Sequence, residues 1–198
     1  MPHNHDTSPD YALELYLPHL SDAEFFAICQ ENREWRMERN SDKTIRSLPP
    51  TGFETGKRNA ELVAELILWN RKSKTGVVGE SSTGFTLPND AIRSPDASWI
   101  SHERLRQTTA ADRERFVHAV PEFVVEIRSA TDSLGRLMAK MDEYVTNGVL
   151  LGWLIDLERQ AVHVYRAGKS VEVMTGFEQT LSGEEVLPGF LFDLKWIR

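Results

Sequence analysis

The chain has one cysteine, Cys29, in 198 residues. No intrachain disulfide is possible, and a reducing cytoplasm is the expected compartment. Cys29 ends Glu24-Phe25-Phe26-Ala27-Ile28-Cys29, an apolar helical stretch with no histidine near it in sequence. It reads as core filler rather than a nucleophile. No apolar run is long enough to span a bilayer, so no membrane association is expected. Met1 to Asp10 is polar and lacks the basic and apolar regions of a secretory signal. Residues 1–20 read as a polar tail, in which His3 and His5 bind metal only adventitiously. His102, His118 and His163 lack zinc-ligand spacing. There is no internal repeat and no low-complexity linker. Basic residues are in deficit: 23 Lys and Arg face 30 Asp and Glu, a net charge of −7. That balance disfavours a broad nucleic-acid-binding surface. It does not exclude a nuclease, because clustered carboxylates need a metal and local Lys and Arg can form a small positive channel.

What is present suits one α/β domain over residues 21–198. Apolar residues are 40% of the chain, enough for a core, and charged residues 27%. Ser21-Asp22-Ala23-Glu24 is a capping box that opens a helix. Residues Trp35–Arg39 and Thr44–Leu48 flank Asn40-Ser41-Asp42 and predict a β-hairpin. Leu62, Val63, Leu66 and Ile67 give a helix stripe over Thr55–Arg71. Strands are predicted at Gly76–Glu80, Gly84–Leu87 and Asp96–Ile100, and Ser101–His118 as a short helix or surface excursion. Phe123–Ile127 is continuous and apolar except for Glu126, as in strands buried on both faces. Thr131-Asp132-Ser133 caps a helix over Leu134–Asn147, where Asn147-Gly148 ends it. Leu151–Ile155, Ala161–Tyr165, Val171–Met174 and Leu191–Leu194 complete the set. A mixed sheet with a central β-α-β unit from Phe123 to Ile155 accounts for this order.

Two carboxylates stand out. Asp96 follows Pro95, which has no N–H for a ladder and biases Ser94 toward extended backbone. Glu126, thirty residues on, interrupts an apolar strand, where an uncompensated charge is costly to bury. Alternation puts Val124, Glu126 and Arg128 on one face. Brought together on neighbouring strands, the two carboxylates would make an oxygen-rich pocket for a hard divalent cation. Lys140 flanks the apolar stripe of the following helix. Taken alone it reads as a snorkelling lysine; turned toward the carboxylates, it could orient a water or stabilise phosphoryl charge. Tyr144 is expected to pack on the sheet with its hydroxyl at the rim, and Trp153 to lie in the core.

Pro95-Asp96 followed by Glu126 resembles the PD-(D/E)XK nuclease superfamily. Within it the chain resembles a bacterial branch, the Uma-type family of restriction endonucleases, long catalogued as a domain of unknown function. Matching segments include Pro49-Pro50-Thr51-Gly52, Arg93-Ser94-Pro95-Asp96-Ala97-Ser98, Phe123-Val124-Val125-Glu126-Ile127-Arg128-Ser129, Lys140-Met141-Asp142-Glu143-Tyr144 and Gly152-Trp153-Leu154-Ile155-Asp156. The resemblance implies a restriction-endonuclease-like mixed β-sheet flanked by helices, with an N-terminal helix and β-hairpin extension. It implies Asp96 and Glu126 as ligands of Mg2+, with Mn2+ as substitute, and DNA as substrate. The parent pattern has lysine where this chain has Arg128, which stays protonated but could hold a phosphate. In the Uma-type branch the lysine sits on the following helix, and Lys140 fits that position. An acidic residue from an early helix is also common in the parent family, with Glu54, Glu61 and Glu65 as candidates. Cutting both strands of a duplex generally takes two sites, so a homodimer is expected. Val162, Val164 and Tyr165, with Phe190, Leu191 and Phe192, are candidate exposed-edge residues for it. The competing reading is a catalytically silent module of the same fold that uses its acidic surface for protein partners.

Overall fold

The computed structural model describes residues 13–48 and 50–198. His3, His5 and Pro49 lie outside the described residues. Strand β1 (Leu13–Tyr16) precedes α1 (Asp22–Glu31), whose first turn carries the expected capping box: Ser21 Oγ accepts from Glu24 N–H, and Glu24 reaches back to Ser21 N–H at 2.9 Å. The hairpin follows as β2 (Arg36–Arg39) and β3 (Thr44–Leu48). Helix α2 (Phe53–Ser73) extends beyond its predicted ends and buries Leu62 and Leu66. Then come β4 (Gly76–Glu80), β5 (Phe85–Thr86), β6 (Ile92–Arg93) and β7 (Ala97–Ser101). The polar excursion contains two single-turn helices, α3 (His102–Leu105) and α4 (Ala110–Arg113). The central unit is β8 (Phe123–Arg128), α5 (Leu134–Thr146) and β9 (Leu151–Asp156). Strands β10 (Ala161–Arg166), β11 (Glu172–Thr175), β12 (Thr180–Ser182) and β13 (Leu191–Asp193) follow, with a 3-10 turn at Leu194–Ile197.

Two sheets carry the fold. The larger has the order β11-β10-β9-β8-β7-β4, parallel at β8/β9 and antiparallel elsewhere. The parallel pair needs a crossover, and α5 is that crossover. The smaller sheet, β1-β3-β2-β6-β5, is antiparallel throughout. One face of the larger sheet packs Phe123, Val125, Ile127 and Trp153 with Leu62 and Leu66 of α2. The other packs Val124 and Leu154 with Met141 and Tyr144 of α5. Every residue of β8 is therefore buried, as its apolar run, interrupted at Glu126, predicts. Gly152 lets α5 approach closely: a Cβ there would lie 2.5 Å from Met141 Cε. Gly148, at φ +108, ends the helix in a conformation that suits glycine.

Three expectations change. The short strands β1, β6 and β12 carry no local pattern that announces them. Val162, Val164 and Tyr165 do not form an exposed edge; β10 lies between β9 and β11 and these side chains are buried. Phe190 and Phe192 close the chain's own core around Trp153, and only Leu191 of that group is exposed. Cys29 packs partly buried beside Phe25 and Ile45, and burial pushes its thiol up to about 11. No helix among the described residues is long and apolar enough to cross a membrane.

Candidate active site

The register of β7 and β8 decides where the carboxylates meet. Ala97 pairs with Val125, so Asp96, one residue before β7, falls opposite Glu126. Asp96 Oδ2 accepts the backbone N–H of Ile127 at 2.8 Å, which fixes its side chain across the strand pair. Its Oδ1 accepts from Arg36 at 3.2 Å and from Asn59 Nδ2 at 3.3 Å. Arg36 also donates to the carbonyl of Ser94. The Pro95-Asp96 corner is thus held from three elements: β2, α2 and β8.

Glu126 lies on the α5 face of β8. Lys140 Nζ is 2.8 Å from its Oε1, and Tyr144 Oη donates to the same oxygen at 3.0 Å. Lys140 and Tyr144 are one helical turn apart, so both point onto β8. Tyr144 is fully buried, which corrects the expected hydroxyl at the rim. Asp96 and Glu126 are 6% and 3% exposed and line the same cavity of about 610 Å3.

A third carboxylate comes from the hairpin. Glu38 of β2 is 4% exposed and accepts from Lys140 Nζ at 2.9 Å and from Ser94 N–H at 2.9 Å. Arg93 bridges Glu38, at 3.7 Å, to Glu143 of α5, at 2.6 Å. The alternation of Trp35–Arg39 announces a strand, but nothing local says that its Glu38 turns inward. The helix candidates for this role are replaced. None of Glu54, Glu61 and Glu65 lines the cavity, and Glu54 pairs with Arg58 instead. The α2 residue that touches Asp96 is Asn59.

Charge balance sets the protonation states. Burial raises the Glu126 pKa, Lys140 pulls it back, and nearby Asp96 and Glu38 add to the rise, leaving it at about 7. Burial would also raise Glu38, but Lys140, Arg93 and Arg36 outweigh it and hold that group down at about 2. Burial opposes the charge on Lys140, yet Glu126 and Glu38 beside it prevail and its pKa is raised. Lys140 is therefore an ammonium at neutral pH.

Arg128, two residues along β8, does not face the cavity. Its guanidinium donates to Asp156 at 3.1 Å and Glu158 at 2.8 Å, and its Nε to the carbonyl of Asp132. Those bonds engage the guanidinium that could have held a phosphate and give Asp156 a buried structural role. Trp153 is core, as expected.

The donor set suits a hard divalent cation. Asp96 and Glu126 offer carboxylate oxygens, and Asn59 Oδ1 is buried without a hydrogen-bond partner. Among the described residues, no three His, Cys, Asp or Glu side chains form a ready cage. The carboxylate pair would need water or substrate oxygens to complete a shell, the usual state of protein-bound Mg2+.

Comparison with known proteins gives a family match and structural matches. The sequence profile of the Uma2 family, described as "Putative restriction endonuclease", matches residues 22–195. No curated protein matches the chain. A crystal structure from Anabaena variabilis ATCC 29413, described as "a putative nuclease belonging to DUF820", superposes with a TM-score of 0.69 at 20% identity. The match covers 82% of this chain and 91% of that one, and shows a shared fold.

Proposed function

The chain belongs to the Uma2 family, and from that membership and the buried carboxylate pair we propose that it is a divalent-metal-dependent DNA endonuclease. The observation that carries the reading is the meeting of Asp96 and Glu126 across β7 and β8, with Lys140 2.8 Å from Glu126, in one cavity. In this reading Asp96 and Glu126 hold Mg2+, or Mn2+ in its place. The bound ion would polarise the scissile phosphate and lower the pKa of a water. Lys140 remains protonated, so it acts as a donor: it stabilises charge developing on the phosphoryl oxygens and orients the incoming water. It is not a base. Glu38 holds the ammonium from the other side, and Tyr144 and Ile127 N–H keep the two carboxylates in place.

Cutting both strands of a duplex would call for a second copy. The edge strands β1 and β11, with Leu13, Leu15 and Val173 more than half exposed, are where it would pair. The test is cleavage of circular DNA by the purified full-length chain. Cutting is expected with Mg2+ or Mn2+, abolished by EDTA and by Glu126→Ala. Undiminished cutting by Glu126→Ala would refute the site. No cutting by wild type would favour the silent nuclease-fold module acting through protein contacts.

A further inference from the structure

We infer that Lys140 fills the second of two adjacent cation places, so that the site takes one divalent ion where the same carboxylates without the lysine would take two. The inference rests on the endonuclease reading and adds how many ions do the chemistry.

The first observation is where the ammonium sits. Lys140 Nζ lies 2.9 Å from Glu38 Oε1 and 2.8 Å from Glu126 Oε1. The two carboxylates come from different sheets, Glu38 from β2 and Glu126 from β8, and converge on this one point. All three side chains are at most 13% exposed. Two buried carboxylates that meet at one point repel each other unless a cation stands between them. Helix α5 supplies that cation. Lysine suits the place better than arginine, because its ammonium is a compact point charge with three donors. Two donors serve Glu38 and Glu126, and one remains for a phosphoryl oxygen. Oxygens ligate Mg2+ at about 2.1 Å, so each carboxylate needs to close in by under about 1 Å to hold an ion where the ammonium now stands.

The second observation is that Glu126 is shared. It meets Lys140 and Glu38 on the α5 side, and it falls opposite Asp96 across β7 and β8. Asp96, Glu126 and Glu38 thus form a row with Glu126 in the middle, and all three line one cavity. A row of carboxylates with two cations sharing the middle one fits a two-metal site for phosphoryl transfer, whose ions stand about 3.5–4 Å apart and clamp the attacking and leaving oxygens. In this chain one of the two cations is built in.

The third is charge. Glu38, Asp96, Glu126 and Glu143 face Arg36, Arg93 and Lys140. With all seven ionised, one negative charge is left over, and a single divalent ion more than offsets it. Without the ammonium two negative charges are left over, and the place between Glu38 and Glu126 is open. A lysine that only ties the hairpin to α5 makes a different prediction: its removal loosens the fold and gains no ion.

The test is Mn2+ stoichiometry in the full-length chain without DNA, read by calorimetric titration and by electron paramagnetic resonance of the unbound ion. Wild type is expected to bind one ion and Lys140→Ala two. Adding Glu38→Gln to Lys140→Ala is expected to return the count to one. Glu38→Gln alone is expected to keep the single ion, within about 10-fold of wild-type affinity. If Lys140→Ala is unfolded without metal, Mn2+ is expected to restore its cooperative melting transition. Two ions on wild type would overturn the inference. So would a single ion on Lys140→Ala, a second ion that survives Glu38→Gln, loss of the ion in Glu38→Gln alone, or an unfolded Lys140→Ala that Mn2+ does not restore. Cleavage of circular DNA separates this from the parent reading. Two ions on a wild type that cuts would sink the inference and leave the endonuclease. The expected counts without any cutting would sink the endonuclease and leave the built-in cation. A wild type that binds no ion would overturn both.

Discussion

Strand β8 carries two buried charged side chains two positions apart, Glu126 and Arg128, and their surroundings differ in one respect. Arg128 sits in a paired set: Asp156 and Glu158 accept from it, and Arg159 adds a second cation 3.5 Å from Asp156. Among the described residues two cations meet two carboxylates there, and neither Arg128 nor Asp156 lines the cavity. Around Glu126 the count is uneven. Glu38, Asp96, Glu126 and Glu143 face Arg36, Arg93 and Lys140, four carboxylates against three cations. All seven line the cavity. Burial of charge does not by itself mark a functional site, since Arg128 and Asp156 are as buried as Glu126. An uncompensated negative charge, open to a cavity, does so better, because it is stabilised by something that arrives from solution.

Substitutions can break this contrast. The largest effect is expected for Glu126→Ala: metal-dependent cleavage should fall on the order of 1000-fold, since metal charge stabilisation contributes several kcal/mol. Thermal stability should change little or rise, because a strained buried carboxylate is removed. Asp156→Ala should behave in the opposite way. It strips Arg128 of its buried partner and should cost about 3–5 kcal/mol in urea denaturation. Turnover per folded molecule should stay near wild type. Similar stability losses in both variants would erase the distinction.

The pH dependence of stability sharpens it. Glu126 is raised from 4.5 to about 7 in the folded chain. The folded state then binds a proton that the unfolded state has released. Its contribution is fully present below pH 4.5 and is lost as pH rises to about 7. Glu38 is lowered from 4.5 to about 2, so its contribution is lost as pH falls through that lower window. Glu126→Gln should flatten the decline between pH 4.5 and 7 and leave the acid limb intact. A wild-type curve already flat in that range would argue against a strained Glu126. The smallest effect belongs to Tyr144→Phe, which removes the 3.0 Å bond to Glu126. It should cost about 1 kcal/mol and reduce cleavage several-fold, read from initial rates.

What was legible in the sequence was local. The capping box at Ser21 and Glu24, the apolar β8 run and the Ser133-to-Gly148 helix each depend on neighbours within a few residues. The Asp96, Glu126 and Lys140 set was reachable through spacing and family resemblance. Glu38 was not, because its inward turn depends on β2 lying against β6 and α5, more than fifty residues away in sequence. Asn59 was hidden for the same reason. Glutamates on the same helix are the more conspicuous chemistry, but the helix turns them elsewhere. Tyr144 could have been placed inward, since it follows Lys140 by one turn on the face that packs against β8. The role of Arg128 stayed open because its partners Asp156 and Glu158 lie on the far side of the parallel crossover.

The proposed chemistry rests on Asp96 and Glu126 forming one divalent-cation site. Calorimetric titration of Mn2+ into wild type, Asp96→Ala and Glu126→Ala near pH 6 tests it directly. The claim predicts one ion per wild-type chain, with proton release, because Glu126 must ionise to bind. It predicts that each substitution abolishes this binding. Equal Mn2+ affinity in all three proteins would contradict it.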